Sequence, residues 1–124
     1  MPRDLSTYDD DSELTEYIWH NYRDALTEFE VKVWHSALAD KKAETESEPK
    51  ARMMRKHMGS QRDPEIIKSL ERGLDVFRRE VRDRILSEHS DRIVINRCSR
   101  CQRIVATPKA RQCLWCGYDW HRRA

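Results

Sequence analysis

Cysteine is confined to the last quarter of this 124-residue chain, as Cys98-Ser99-Arg100-Cys101 and Cys113-Leu114-Trp115-Cys116, with eleven residues between the pairs. A C-x-x-C segment turns tightly enough to aim two thiolates at one point. Two such turns supply four sulfurs, the full complement of a closed tetrahedral site, so Cys98, Cys101, Cys113 and Cys116 are expected to hold Zn(II). Disulfides are the competing use, but they belong to oxidising compartments. The opening from Met1 to Asp11 is polar and acidic, with no apolar run of the kind that directs export. No stretch approaches the ~18 apolar residues of a membrane span. A reduced, cytoplasmic chain with metal-bound cysteines is the expectation. Catalysis at that metal is not expected, because four thiolates leave no position for water.

The residues beside the cysteines fit paired knuckles. Gly117 directly follows the second pair, where the chain turns back and a positive φ is useful. Gln102 stands at the equivalent place after the first, and a left-handed conformation there would cost ~1–2 kcal/mol. Residues 92–97 and 104–107 read as strands, the second ended by Pro108, and residues 118–121 as a third. On these residues the segment of about 92–121 resembles the zinc-ribbon superfamily, in which two cysteine knuckles sit at the ends of short antiparallel strands. That resemblance implies a zinc ion and a small β ribbon, but no particular activity. Rubredoxins share the double knuckle with iron, and Trp115, Tyr118 and Trp120 are similar to their aromatic packing. The connection between knuckles is much shorter here, so electron transfer is not implied. Residues 107–121 also look like small bacterial zinc-ribbon proteins of unknown function, which implies no mechanism.

Helices must position this ribbon. Charged residues make up 37% of the chain and apolar ones 38%, a balance that favours solvated helices over a compact α/β sheet. A first helix is predicted over about 12–43, with Asp10 or Ser12 as cap. Its apolar stripe would be Ile18, Tyr22, Leu26, Phe29, Val33 and Ala37. Residues 44–62 lose the pattern and read as a flexible linker, or as a basic helix rich in Met53, Met54 and Met58 that docks on a partner. A second helix is predicted over about 64–89, capped by Asp63 with Pro64 first, and carrying Ile67, Leu70, Leu74, Phe77 and Val81 inward. The predicted architecture is mainly α with a small β zinc ribbon. An acidic tail (1–11) precedes an antiparallel helical hairpin (12–91) and a C-terminal four-cysteine ribbon (92–124). Packing of the ribbon on the hairpin, or pairing of two chains into a four-helix bundle, would cover the remaining apolar surface.

Charge is distributed unevenly. Residues 1–30 carry two basic and nine acidic side chains, a net −7, whereas residues 92–124 carry eight basic and one acidic, a net +7. Arg92, Arg97, Arg100, Arg103, Lys109, Arg111, Arg122 and Arg123 thus surround the knuckles, interleaved with Trp115, Tyr118 and Trp120. Arginines can bind phosphates while rings stack on unpaired bases. Arg100, Arg103, Lys109, Arg111 and Trp115 are therefore the expected contacts to RNA or DNA. The same charges could instead be matched within the molecule by the acidic N-terminal residues.

Other constellations carry little. Trp19-His20, Trp34-His35 and Trp120-His121 read as packed tryptophans beside solvent-facing histidines. No Glu is followed by His three residues on, so a carboxylate-bridged di-iron bundle is not indicated. Phosphate loops and zinc-protease motifs are absent from the sequence. The expectation is a non-enzymatic zinc module with a basic ribbon that contacts nucleic acid. The alternative is an assembly subunit whose helices and ribbon bind another protein or a second copy.

Overall fold

The structure is a computed structural model that describes residues 4–58 and 63–121. Its described residues form five α-helices: α1 (Asp10–Asn21), α2 (Glu28–Ala43), α3 (Glu48–Met58), α4 (Pro64–Ser69) and α5 (Leu74–Glu88). Short 3-10 turns occupy Leu5–Thr7 and Arg23–Ala25. The chain is mainly helical, as expected, and ends in the four-cysteine cluster. The expected β ribbon is not seen as such: among the described residues there is no strand, only isolated antiparallel bridges of Arg97 with Ile104 and of Gln112 with Asp119. The fold divides into two compact units, Met1–Ala25 with Arg84–Ala124, and Leu26–Asp83.

The long first helix expected over 12–43 is broken. α1 stops at Asn21, because Tyr22 leaves the helical region at φ −126° and ψ 44°. Thr27 then starts α2 with a capping box: its hydroxyl accepts from the Glu30 N–H at 3.1 Å, and Glu30 Oε1 accepts from the Thr27 N–H at 2.8 Å. The break resets the helical phase. Ile18 and Tyr22 are buried as the stripe requires, but Phe29 is 41% exposed. The predicted second helix also splits, at Gly73, whose φ of +98° no helix interior accepts. A Cβ there would meet nothing within 4 Å, so the glycine serves conformation and not close packing. The Asp63 cap is present, accepting from the Glu65 N–H at 2.9 Å ahead of Pro64. The buried position is Ile66, at 1% exposure, whereas Ile67 is 38% exposed. Its inward face is thus one residue earlier than the stripe that continues through Phe77 and Val81.

Residues 44–62 are not wholly a linker. Residues 48–58 form α3, which packs along α2 with Ala43 and Ala51 buried. Residues 59–62, which the linker and the Met-rich segment also included, lie outside the described residues. Within this unit α2 meets α3 and α4, so the hairpin expected between a 12–43 helix and a 64–89 helix is replaced by shorter packed helices. Val33 and Ile66 are its most enclosed aliphatic side chains, each contributing about 1.5–3 kcal/mol through removal from water. No helix among the described residues is long and apolar enough to cross a membrane.

The cysteine-containing unit holds α1 and the last residues of α5. Ile18, Trp19, Tyr17 and Tyr22 of α1 and the following turn are buried, as is Ile85 at the end of α5. Arg84 Nη2 donates to the Ala25 carbonyl at 3.0 Å, fastening the 3-10 turn. As expected, Trp19 is buried and His20 exposed. Because the Thr27 box satisfies two backbone groups that the broken helix would leave open, Thr27→Ala is expected to cost about 1 kcal/mol. Thermal or urea denaturation would read this loss, and Thr27→Ser should restore most of it.

Candidate metal centre

Residues 98–105 and 113–120 have one backbone conformation used twice, fifteen residues apart. The Cys98 N–H donates to the Arg103 carbonyl at 2.9 Å, and the Cys113 N–H to the Tyr118 carbonyl at 2.8 Å. Gln102 N–H closes onto the Cys98 carbonyl at 2.8 Å, and Gly117 N–H onto that of Cys113 at 2.9 Å. Val105 N–H reaches the Asn96 carbonyl at 3.0 Å, and Trp120 N–H that of Arg111 at 2.9 Å. Gln102 and Gly117 both have positive φ, 65° and 84°. The strain expected at Gln102 is therefore present, and its amide donates to the Ser99 carbonyl at 3.2 Å, which offsets part of it.

The two knuckles bring four sulfurs together. All lie within 4.8 Å of one another. Across the knuckles, Cys98 Sγ lies 3.7 Å from Cys116 Sγ, and Cys101 Sγ 3.6 Å from Cys113 Sγ. Disulfide sulfurs would stand ~2.05 Å apart, and all four cysteines are free. A tetrahedral tetrathiolate with bonds of ~2.3 Å spaces its sulfurs ~3.8 Å apart. The donor set and its spacing therefore fit a metal ion. Cys98 and Cys113 are buried, and Cys101 and Cys116 are half-buried.

Amide hydrogens around the sulfurs favour thiolates. Arg100 N–H donates to Cys98 Sγ and Cys116 N–H to Cys113 Sγ, both at 3.4 Å. Burial raises the Cys101 thiol, but the Arg103 backbone N–H, the Arg103 side chain and the neighbouring thiols outweigh it and bring it down to about 7. Burial dominates at Cys113 and pushes it up to about 11.

α1 and the residues before it complete the unit through side chains that the sequence did not single out. Tyr8 OH accepts from the Ile104 N–H at 3.1 Å and donates to Asp10 Oδ1 at 2.5 Å. Tyr17 OH accepts from the Asn96 N–H at 3.2 Å and donates to the Val94 carbonyl at 2.5 Å. Tyr22 OH accepts from the Val94 N–H at 2.9 Å. Asn21 Nδ2 donates to the Ala106 carbonyl at 3.0 Å. These bonds explain the missing strands: backbone groups that a ladder would use are bonded to side chains. Asn96 finishes the loop, its amide donating to the carbonyls of Thr107 at 3.0 Å and Ala110 at 2.9 Å.

The basic residues fall into two sets. Arg97 forms a two-pronged pair with Asp10 at 2.8 and 3.2 Å, and Arg92 pairs with Asp24 at 2.9 Å. The hydrogen bonds from Arg97, and then from Tyr8, hold the Asp10 carboxyl below its usual range. Arg103 lies 5.4 Å over the Tyr8 ring. Trp115 is only 4% exposed, edge-on to Tyr8 at 5.0 Å. Trp115 is too enclosed for a base to stack on it, whereas Arg103 is half-buried beside Tyr8. Arg100, Lys109 and Arg111 are exposed. Arg100 lies 5.7 Å over Tyr118, which stands 5.7 Å from Trp120. Lys109, Arg111 and Trp120 line one shallow cavity of about 390 Å³. Arg122 and Arg123 lie outside the described residues.

Comparison with family models, with curated proteins and with solved structures returns no match to this chain. The cysteine cluster is the only group of three or more metal-ligating side chains found among the described residues.

Two outcomes follow from this geometry. Tyr17→Phe should destabilise the unit by about 1–3 kcal/mol, because it removes the acceptor of the Asn96 amide and leaves the Val94 carbonyl with Tyr22 alone. Amide exchange at Asn96 would report it directly. Metal uptake must expel protons from the sulfurs, so affinity should fall with falling pH. Below about pH 7, where Cys101 in the metal-free chain is also protonated, one more proton should leave per metal bound than above it. Chelator competition across pH 6–8.5 measures that slope.

Proposed function

We propose that the chain is a non-enzymatic zinc-binding module whose metal is structural and whose exposed basic surface contacts RNA or DNA. The observation that carries the metal assignment is the spacing of four sulfurs on two matching knuckles. Zinc suits a tetrahedral all-cysteine site, and a reducing compartment such as the cytoplasm keeps the thiols available. When bound, the ion would supply the cross-link that a unit without a sheet otherwise lacks. Structural zinc in small modules contributes on the order of 10 kcal/mol. Four protein ligands leave no site for a substrate.

The nucleic-acid reading is supported by Arg100, Lys109 and Arg111 beside Tyr118 and Trp120. Cations placed among partly exposed rings suit a flexible polyanion better than an apolar protein surface. A protein partner is the second reading, and the exposed Arg52, Met53 and Lys56 of α3 favour it, since a basic helix with an apolar side chain suits an acidic amphipathic surface.

Elemental analysis should find one zinc per chain, lost in Cys98→Ser with Cys113→Ser. Chelation should abolish the near-ultraviolet circular dichroism contributed by Trp115. Binding to a single-stranded oligonucleotide should weaken with salt at a log–log slope of about −2, for roughly three phosphates. Reversing Arg100, Lys109 and Arg111 to Glu should abolish it. Binding that is salt-insensitive, or unchanged in that variant, would overturn the reading. Purification of the tagged protein with and without nuclease separates it from the protein-partner alternative.

A further inference from the structure

The duplication of the knuckles extends from their backbone to their surroundings. Exchanging residues 98–105 with 113–120 turns the Cys98–Cys116 pair into Cys113–Cys101, and the two separations, 3.7 and 3.6 Å, agree. The knuckles are therefore related by an approximate two-fold about the sulfur cluster. The same exchange carries Trp115 onto Arg100 and Arg103 onto Tyr118. Against Trp115 and Arg103 the chain has placed a second ring: Tyr8 meets Trp115 edge-on at 5.0 Å and Arg103 at 5.4 Å. Around the second pair, the Arg100 guanidinium lies over Tyr118 at 5.7 Å. Trp115 is buried, whereas Arg100 is exposed and Tyr118 is half-exposed.

We propose that the Arg100–Tyr118 position is a base-stacking slot for single-stranded nucleic acid, the two-fold counterpart of the place that Tyr8 fills. A planar base enters between the guanidinium and the phenol ring, and the flexible Arg100 side chain swings outward to admit it. This deepens the nucleic-acid reading above and rests on it. Charge selects the occupant. Beside Tyr8 stands Asp10, paired with Arg97, so the filled position is matched by the acidic N-terminal residues. Beside Tyr118 stands Trp120 at 5.7 Å, and the cavity at Trp120 is lined by Lys109 and Arg111 with Asn96, Pro108 and Ala110. A phosphate next to a stacked base meets those two cations. A duplex keeps its bases stacked on one another, so an unpaired strand is required. A peptide aromatic would fit the slot but would bring no phosphate for Lys109 and Arg111.

The test uses the full chain loaded with metal and fluorescence anisotropy of three labelled probes: a short oligothymidylate, the same length with abasic positions, and a duplex. The abasic strand keeps its phosphates and should bind roughly 5- to 100-fold more weakly per stacked base lost. The duplex should bind more weakly than the single strand. Tyr118→Leu should show a loss like that of the abasic strand, and Tyr118→Phe should bind as the parent does. Cobalt substitution verifies that each variant keeps its tetrahedral sulfur site. Equal affinity for intact and abasic strands overturns the slot, and this arm needs no variant to fold. If affinity is also lost in Lys109→Glu with Arg111→Glu, the slot falls while the nucleic-acid reading stands. No binding to any probe at low salt overturns both.

Discussion

Backbone polar groups must be bonded wherever water is excluded, and the segment after α5 meets that demand without helix or ladder. Its bridges at Arg97–Ile104 and Gln112–Asp119 are single, so most of its backbone bonds must be found elsewhere. The knuckles satisfy some internally, by folding amide hydrogens onto carbonyls and sulfurs. Others are met by side chains, chiefly three tyrosine hydroxyls and two asparagine amides, with Arg97, Gln102 and Asp119 adding one each. A phenol hydroxyl both accepts and donates, which lets Tyr17 join the Asn96 amide to the Val94 carbonyl as a neighbouring strand would. Tyr22 does the same for both polar groups of Val94. The aromatic rings that carry these hydroxyls are themselves the apolar packing of the unit. The cysteine segment's small core of Cys98, Val105, Cys113 and Trp115 is thus extended by Tyr8, and α1 adds Tyr17, Ile18 and Trp19 to the buried residues of the unit.

The sulfur cluster imposes a second constraint, of charge. Four thiolates around a divalent ion carry two negative charges in excess, and low-dielectric surroundings make that costly. Two N–H···S bonds and the nearby Arg103 oppose the cost. The position of Arg103 is in turn set by Tyr8, which it covers. Metal site and N-terminal segment are therefore linked: the residue that steadies the sulfurs is steadied by a ring more than ninety positions earlier in sequence.

The cysteine cluster was legible because its geometry is local. C-x-x-C spacing fixes two ligands by itself, and Gly117 marks the turn behind them. Asp63-Pro64 was legible for the same reason, as a start signal contained in two residues. The helix breaks were also written locally, in Thr27-x-x-Glu30 and in Gly73. They were obscured by apolar stripes that continue in phase across the gap; periodicity measures a face and does not register a kink in its axis. What the sequence could not reveal was the strand replacement. Residues 92–97 have the composition of a strand, and in isolation nothing marks Tyr17 or Tyr22, far off in sequence, as their hydrogen-bond partners. The buried fate of Trp115 is of the same kind, since it depends on Tyr8 arriving beside it.

The sequence sets net −7 over residues 1–30 against net +7 over residues 92–124. Their meeting is selective: Asp10 and Asp24 take Arg97 and Arg92, and these pairs lie outside the duplicated residues 98–105 and 113–120. Exposed pairs of this kind are worth little in stability, ~0–1 kcal/mol each, so their effect is on potential. With Arg92 and Arg97 paired, Arg100 remains exposed over Tyr118, and Lys109 and Arg111 remain exposed beside Trp120. A uniformly basic ribbon would attract polyanions in many orientations. In this chain the acidic residues take Arg92 and Arg97 while Arg100, Lys109 and Arg111 stay exposed, so two knuckles of similar backbone have unlike surroundings.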